Sequence, residues 1–480
     1  MTFSVLADGE IRALLESLTL NELEGFRDGL RVALHEYSTG TNNAVHQPER
    51  TSAFSAATGA TTLFMPSIGP EGQAVKVITL TSPIPSGPAD EAPTTPGTPK
   101  TSSDTLEPVI RPTGAITLFS PQGSPVGILH ATTLTAFRTA LASLCLVQKR
   151  ENVRTLTVFG CGDQAFWHVR LTLLLRGSTV RQVNFVNRAF SESAKGILKR
   201  LYTVPAAVKA REGWAECVFG VLTPGYGEYR RLLERDVVAA DVIFCCTPST
   251  EPLFDGEWLT THDARRRGRL IVAIGSYTPA MRELPVEIIN QATKTHEQGH
   301  RHFHKHVAEG GVVVVDTLDG ALKEAGELID AGLTPTQLVE LGELLMLHNI
   351  AASESESDSL PDTASTTTIS SGAPSTELLE KLDINSSRSV LSAVFGSSSS
   401  RSQSPSGKGS LGFHRRSSSQ VSVSRKKERE DRMVKWLSGG NVIYKSVGLG
   451  LMDLTVGLHL MRFAKEKNIG IHVEGFGNSA

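Results

Sequence analysis

The run LTVFGCGDQAFWHVRLTLLLRG (156–177) constrains the chain more than any other segment. It reads as a short apolar strand, a turn built on Gly160-x-Gly162-x-x-Ala165, and a long helix ending at Gly177. The first glycine allows a tight turn, the second lets the backbone approach a pyrophosphate, and a small third residue lets helix and strand pack closely. The helix N-terminus adds free N–H groups and the positive end of the dipole. The competing reading is an ordinary tight βα turn. Four more apolar strands follow, in QVNFVNR (182–188), AADVIFCCTPST (239–250), RLIVAIGS (269–276) and VVVVDT (312–317). Strands of this kind alternating with helices predict an α/β fold, with a Rossmann-type doubly wound parallel sheet buried on both faces.

The end of the second strand bears on the nicotinamide. A site selective for NAD ends this strand with a carboxylate that accepts from the ribose 2′-hydroxyl. Here the chain reads Val186-Asn187-Arg188, with no carboxylate to repel a 2′-phosphate and a guanidinium to bind one. NADP (NADPH) is favoured and NAD stays possible.

Before the glycine turn, residues 8–38 carry apolar side chains at helical spacing and predict one or two amphipathic helices. TTLFMPS and AVKVITLT within 60–81 predict a strand pair. Residues 114–131 predict a hairpin turning at Pro121-Gln122-Gly123, and Thr132 to Lys149 a helix. Two stretches, about 82–112 and 352–427, are rich in Pro, Ser and Thr and read as disordered insertions between patterned segments.

Seven ordered blocks resemble the ornithine cyclodeaminase/mu-crystallin family. They are Phe64-Met65-Pro66 with Val75-Lys76-Val77; Leu134-Thr135-Ala136-Phe137-Arg138-Thr139-Ala140; Gly160-Cys161-Gly162-Asp163-Gln164-Ala165; Ala240-Asp241-Val242-Ile243 through Pro252; Ala273-Ile274-Gly275-Ser276 with Arg282-Glu283-Leu284; Glu340-Leu341-Gly342-Glu343; and Tyr444-Lys445-Ser446-Val447-Gly448 with Asp453. Asn187-Arg188 and the run 250–258 resemble the mu-crystallin branch more than the bacterial cyclodeaminases, and the insertions resemble those of fungal members. The resemblance implies a discontinuous α+β substrate-binding and dimerisation domain (1–149 with 436–480), a dinucleotide-binding domain (150–350) and a Ser-rich insertion (351–435). It implies a homodimer that transfers hydride between a nicotinamide and the α-carbon of an amino or cyclic imino acid. It also implies cofactor contacts at Thr139, Gly160, Gly162, Asp163, Gln164, Ala165, Asn187, Arg188, Thr247, Gly275 and Val447.

Such a substrate needs a cationic clamp for its carboxylate. Arg138 and Lys76 stand in the matching blocks, and Arg50 of Gln47-Pro48-Glu49-Arg50 matches a third position. A guanidinium beside a point-charge ammonium suits a carboxylate and fixes the α-carbon. Two positions depart from the cyclodeaminases: Tyr277 replaces a catalytic aspartate and Leu63 a glutamate. A tyrosine, with its ordinary pKa near 10, does not replace a carboxylate base at neutral pH. Reduction of a preformed cyclic ketimine asks less: protonation of the imine, which solvent, Lys76 or Tyr277 could assist, and a hydride. The favoured function is therefore an NAD(P)H-dependent imine reductase. Ornithine cyclodeaminase or a proline-utilisation-related protein is one alternative, and a non-catalytic NADPH-binding regulatory protein another.

The remaining features point away from other classes. Lys+Arg number 48 against 50 Asp+Glu, which argues against a nucleic-acid partner. No run of about 18 apolar residues predicts a membrane span. Five scattered cysteines suggest a reducing, cytoplasmic setting. His296, His300, His302, His304 and His306 form a cluster that reads as an exposed polar connection, so no metal is assigned. Cys161 at a helix N-terminus is a small turn residue or a redox-sensitive thiol. Arg415-Arg416-Ser417-Ser418-Ser419 and Ser404-Pro405 read as either kinase substrates or plain low complexity.

Overall fold

A computed structural model describes residues 2–40, 44–81, 112–276, 278–294, 311–345, 434 and 436–476. Its strands are β1 (Thr2–Leu6), β2 (Thr51–Ser55), β3 (Ala60–Gly69), β4 (Gly72–Thr81), β5 (Thr113–Phe119), β6 (Pro125–His130), β7 (Thr155–Phe159), β8 (Gln182–Val186), β9 (Val218–Leu222), β10 (Val242–Cys245), β11 (Leu270–Ala273), β12 (Val312–Val315), β13 (Leu338–Glu340), β14 (Val442–Lys445) and β15 (Ile471–Glu474). The helices that matter most are α1 (Asp8–Glu16), α2 (Leu20–Thr39), α3 (Ala131–Val147), α4 (Asp163–Arg176) and the C-terminal helix Gly450–Glu466. The chain divides into two compact units.

The first unit comprises Met1–Leu18, Ala44–Arg138 and Leu449–Ala480. Its seven-stranded sheet runs β15-β1-β6-β5-β4-β3-β2, with β1 parallel to β6 and every other pair antiparallel. The predicted strand pair is β3 and β4, in register from Ala60↔Thr81 to Gly69↔Gly72. The predicted hairpin is β5 and β6. Gly123 takes φ +83°, the left-handed backbone that its turn requires, and its N–H donates to Ser120 O. Side chains alternate across the sheet, so Met65, Ser67, Ala74, Lys76 and Ile78 are buried while Phe64, Ile68 and Val75 are exposed. The C-terminal helix covers the buried face. A Cβ on Gly457 would lie 3.2 Å from the Leu129 side chain and 3.4 Å from that of Leu118.

The second unit comprises Thr19–Asn43 and Thr139–Gly448. Its eight strands run β13-β12-β14-β11-β10-β7-β8-β9, all parallel. Chain order proceeds outward from β7 through β8 and β9, then reverses through β10 and β11. The switch point therefore lies between β7 and β10, where doubly wound sheets leave a crevice. Strand burial is nearly complete: the four valines of β12 are each 0–2% exposed. Burial of this kind stabilises by roughly 1.5–3 kcal/mol per side chain. The expected Rossmann-type sheet is thus present, with β9, β13 and β14 added to the five strands read from sequence.

Two boundaries differ from the sequence reading. The sequence reading groups residues 436–480 with the N-terminal segment, but β14 pairs between β11 and β12, and the division falls at Leu449. It also groups residues 1–149, yet α2 belongs to the second unit. Its Leu34 carbonyl approaches the short helix Leu341–Leu345 so closely that a Cβ on Gly342 would sit 2.0 Å from that oxygen. The division at the other end falls inside α3, after Arg138. The insertions expected at 82–112 and 351–435 lie almost wholly outside the described residues.

Asp241 ties the base of the parallel sheet. Its Oδ2 accepts the N–H groups of Arg154 and Thr155 at 2.8 and 3.0 Å, and Arg267 donates to Oδ1 at 3.1 Å. Asp241→Ala leaves the backbone N–H groups of Arg154 and Thr155, part-buried in the sheet base, without their carboxylate acceptor. The expected loss is roughly 1–2 kcal/mol, measured by urea unfolding, and a loss below about 0.5 kcal/mol would contradict this role.

Candidate functional site

The glycine turn leaves β7 at the switch point. Gly160 takes φ +96° and its N–H donates to Val186 O at 2.9 Å. A Cβ there would stand 2.8 Å from Cys246 O. Gly162 caps α4 at φ −84°, and a Cβ there would meet nothing within 4 Å. The fold therefore demands the first glycine but not the second. Gly162 keeps open the space at the helix start, which is the cradle a dinucleotide pyrophosphate needs. Ala165 is fully buried and packs α4 against the sheet.

Side chains around the turn are committed to shaping it. Asp163 pairs with Arg200 at 2.9 Å, and the Arg200 guanidinium stacks 3.3 Å over the Phe166 ring. The one carboxylate at the start of α4 is thereby neutralised. The Gln164 carbonyl contacts His168 Nδ1 at 2.7 Å, and Ser143 contacts the other ring nitrogen at 2.9 Å. Burial brings the His168 pKa down to about 4, so this ring is neutral. Asn187 closes the turn after β8, donating to Ala189 O at 2.7 Å, while Arg188 stands exposed. Burial pushes the Cys161 thiol up to about 12, which argues against a reactive thiolate in this turn.

The loops after β10, β11 and β14 are held from below. Glu283, fully buried, accepts Thr247 N at 2.8 Å, Thr247 Oγ1 at 3.1 Å and Gly275 N at 2.7 Å. Burial raises its pKa, against the pull of Lys445 and those N–H donors. Lys445 pairs with Glu327 at 2.8 Å. Asp316 accepts Ser446 Oγ, Val447 N and Gly448 N at 2.7, 3.2 and 2.7 Å. Thr247, Gly275 and Val447 thus sit on loops set by two buried carboxylates. Thr139 is buried in α3, its carbonyl accepting Ser143 Oγ at 3.1 Å.

The predicted substrate residues lie in the first unit. Lys76 on β4 and Arg138 on α3 are 2% and 4% exposed, and both reach Asp453, which is fully buried. Lys76 Nζ lies 3.2 and 3.3 Å from the two carboxylate oxygens, and Arg138 Nε lies 3.2 Å from Oδ1. Asp453 occupies the first turn of the C-terminal helix, where the dipole favours an anion. Gln47 fixes that helix start: Oε1 accepts Leu451 N at 2.9 Å, and Nε2 donates to Pro66 O at 2.9 Å. Lys76 has its pKa brought down to about 8, chiefly by burial. Asp453 opposes that shift, and the charges of Arg138 and Arg50 add to it, so Arg50 belongs to the same electrostatic neighbourhood.

Sequence reasoning missed Asp453, Gln47, Glu283 and Asp316 as working residues. Asp453, Gln47 and Glu283 lay inside the quoted blocks, but nothing in the pattern separates a buried carboxylate from a solvated one. Tyr277 and the histidine cluster 296–306 lie outside the described residues. Among the described residues, no group of three His, Cys, Asp or Glu side chains could hold a metal, and no helix is long and apolar enough to cross a membrane.

Gly162→Ala separates fold from cofactor. The melting temperature is expected to stay within about 2 °C, and affinity for a nicotinamide dinucleotide, NADH or NADPH, to fall at least tenfold, about 1.4 kcal/mol. An unchanged Kd in fluorescence titration would move the pyrophosphate away from this turn.

No family model matches the chain. An uncharacterized protein of Saccharomyces cerevisiae is 29% identical over 260 residues, 49% of this chain and 64% of that protein. Ketimine reductase mu-crystallin of Mus musculus is 28% identical over 234 residues, 48% of this chain and 58% of that protein. The chain thus spans about three fifths of the length of these relatives. Among solved structures, that of Thermococcus litoralis Δ1-pyrroline-2-carboxylate reductase in complex with NADH and L-proline aligns over 98% of this chain and 100% of its own, with TM-score 0.56 and 16% identity. That likeness shows the shared fold. Together with an uncharacterized cyclodeaminase of Dictyostelium discoideum, 30% identical over 162 residues, and a Δ1-pyrroline-2-carboxylate reductase of Colwellia psychrerythraea, 28% identical over 218 residues, these matches bear out the block resemblance: the chain is similar to proteins named as cyclodeaminases, mu-crystallin ketimine reductases and Δ1-pyrroline-2-carboxylate reductases.

Proposed function

We propose that the chain is an NAD(P)H-dependent oxidoreductase that reduces the C=N bond of a cyclic ketimine carboxylic acid, with NADPH preferred. The observation that carries this reading is the buried cluster of Lys76 and Arg138 on a single carboxylate, Asp453. Two cations on one anion leave a net positive charge buried beside a third cation, Arg50. That is an arrangement for capturing a carboxylate.

Gly160 and Gly162 would hold the pyrophosphate of the dinucleotide, Thr247, Gly275 and Val447 would contact its nicotinamide half, and Asn187 and Arg188 its adenosine ribose. Bound NADPH supplies the hydride. Arg138 and Arg50 bind the substrate carboxylate and so orient the α-carbon. Lys76 gives its proton to the imine nitrogen, so that the carbon accepting the hydride belongs to an iminium. The product is the saturated cyclic amino acid. The first unit of the chain supplies the carboxylate site and the second the dinucleotide site.

A group that must be protonated to act loses its contribution as pH rises through its pKa. With Lys76 near 8, turnover is expected below about pH 8 and is lost above it. Arg138→Ala should lower kcat/KM by roughly 100-fold or more, about 2.7 kcal/mol. Arg188→Ala should weaken NADPH and leave NADH unchanged. NADPH absorbance with a panel of cyclic ketimine carboxylates, and with L-ornithine and NAD, checks all three. Proline and ammonia from ornithine would transfer the assignment to a cyclodeaminase. Intact NADPH binding without any turnover would transfer it to a non-catalytic binding protein.

The same reading includes a homodimer. Phe64, Ile68 and Val75 stand on the outward face of the first unit's sheet, 39%, 40% and 37% exposed. An apolar sheet face of this kind suits a second copy. Val75→Glu is expected to convert the dimer to a monomer in sedimentation equilibrium; a dimer that survives the charge would place the interface elsewhere. All five cysteines are free thiols, which supports a reducing, cytoplasmic setting.

A further inference from the structure

We propose that Asp453 is a positioning residue of the carboxylate site: it holds Lys76 and Arg138 side by side and cancels one of their two charges. For its ligand class this rests on the ketimine reductase reading. The three charges come from three elements remote in sequence, namely β4, α3 and the C-terminal helix. On the sheet, Lys76 pairs with Met65 and Ile116, so its strand neighbours are apolar. The charged groups that face it are Asp453 from the C-terminal helix, Arg138 from α3 and Arg50 from the segment before β2. Asp453 is the sole anion among these. Without its charge, Lys76 would face two guanidinium groups inside a desolvated site and would release its proton at lower pH. Arg138 Nε would be left with a neutral acceptor in place of a charged one, a weaker bond.

A neutral amide keeps the shape of Asp453 and removes its charge, which makes Asp453→Asn the first variant. The probe is pyrrole-2-carboxylate, a planar ring acid that cannot be reduced, titrated calorimetrically into the full chain with NADPH present across pH 6 to about 9. Wild type is expected to lose affinity as pH rises through the Lys76 range. In Asp453→Asn that limb is expected to move down by roughly one pH unit or more. Asp453→Glu keeps the charge on a longer arm. It is expected to restore the wild-type limb while weakening binding about tenfold, and it remains a test if the amide variant does not fold. A limb unmoved in Asp453→Asn, affinity unchanged in Asp453→Glu, or no binding by wild type would each overturn the assignment. Binding with the expected shift but without ketimine turnover would sink the reductase reading and leave the Asp453 assignment standing.

Discussion

Taking Lys76, Arg138 and Asp453 out of water costs several kcal/mol per ion, and their mutual attraction offsets this only with close geometry. The first unit is arranged around that requirement. Asp453 lies far from Lys76 in the chain, so the C-terminal segment has to return across β3 and β4 to bring the carboxylate in. Gly450 permits the approach: a Cβ there would stand 3.1 Å from Pro66 O. Gln47 satisfies the helix start that the return creates. The discontinuity of the unit follows from the need to place one anion between two cations that no local segment could bring together.

The second unit solves a different problem. A dinucleotide is gripped largely by backbone, and backbone at strand ends needs holding. Glu283 joins the loops after β10 and β11, and Asp316 holds the loop after β14. Both are buried carboxylates accepting N–H donors, a bonding pattern stronger than that of neutral pairs. β14 matters here because its place inside the sheet, between β12 and β11, brings Lys445 to Glu327 and Val447 to the loop that Asp316 holds.

Much of this was legible in the residues. The strand, glycine turn and helix at 155–177 stand where the pattern put them, because an apolar strand, two glycines and a buried helix leave few other solutions. The hairpin at Pro121-Gln122-Gly123 was legible for the same local reason. Lys76 and Arg138 were picked from separate blocks and meet at Asp453. The path of Val442–Lys445 into the parallel sheet was not legible: a four-residue strand remote from its partners carries no local mark of them. Nor was the transfer of α2 to the second unit, since its amphipathic spacing says only that one face is covered, not by what. Buried carboxylates escaped because periodicity reports apolar side chains, and an acid inside the core looks like an acid on the surface until its partners are known.

In the proposed function the buried cations bind the substrate carboxylate and so orient the carbon that takes the hydride. The most direct measurement compares NADPH consumption with a cyclic imine bearing an α-carboxylate and with the same ring lacking it. The account predicts turnover of the acid and a rate at least 100-fold lower, about 2.7 kcal/mol, for the bare ring. Equal turnover of both would contradict it, since Lys76, Arg138 and Asp453 would then have no part in selecting the substrate.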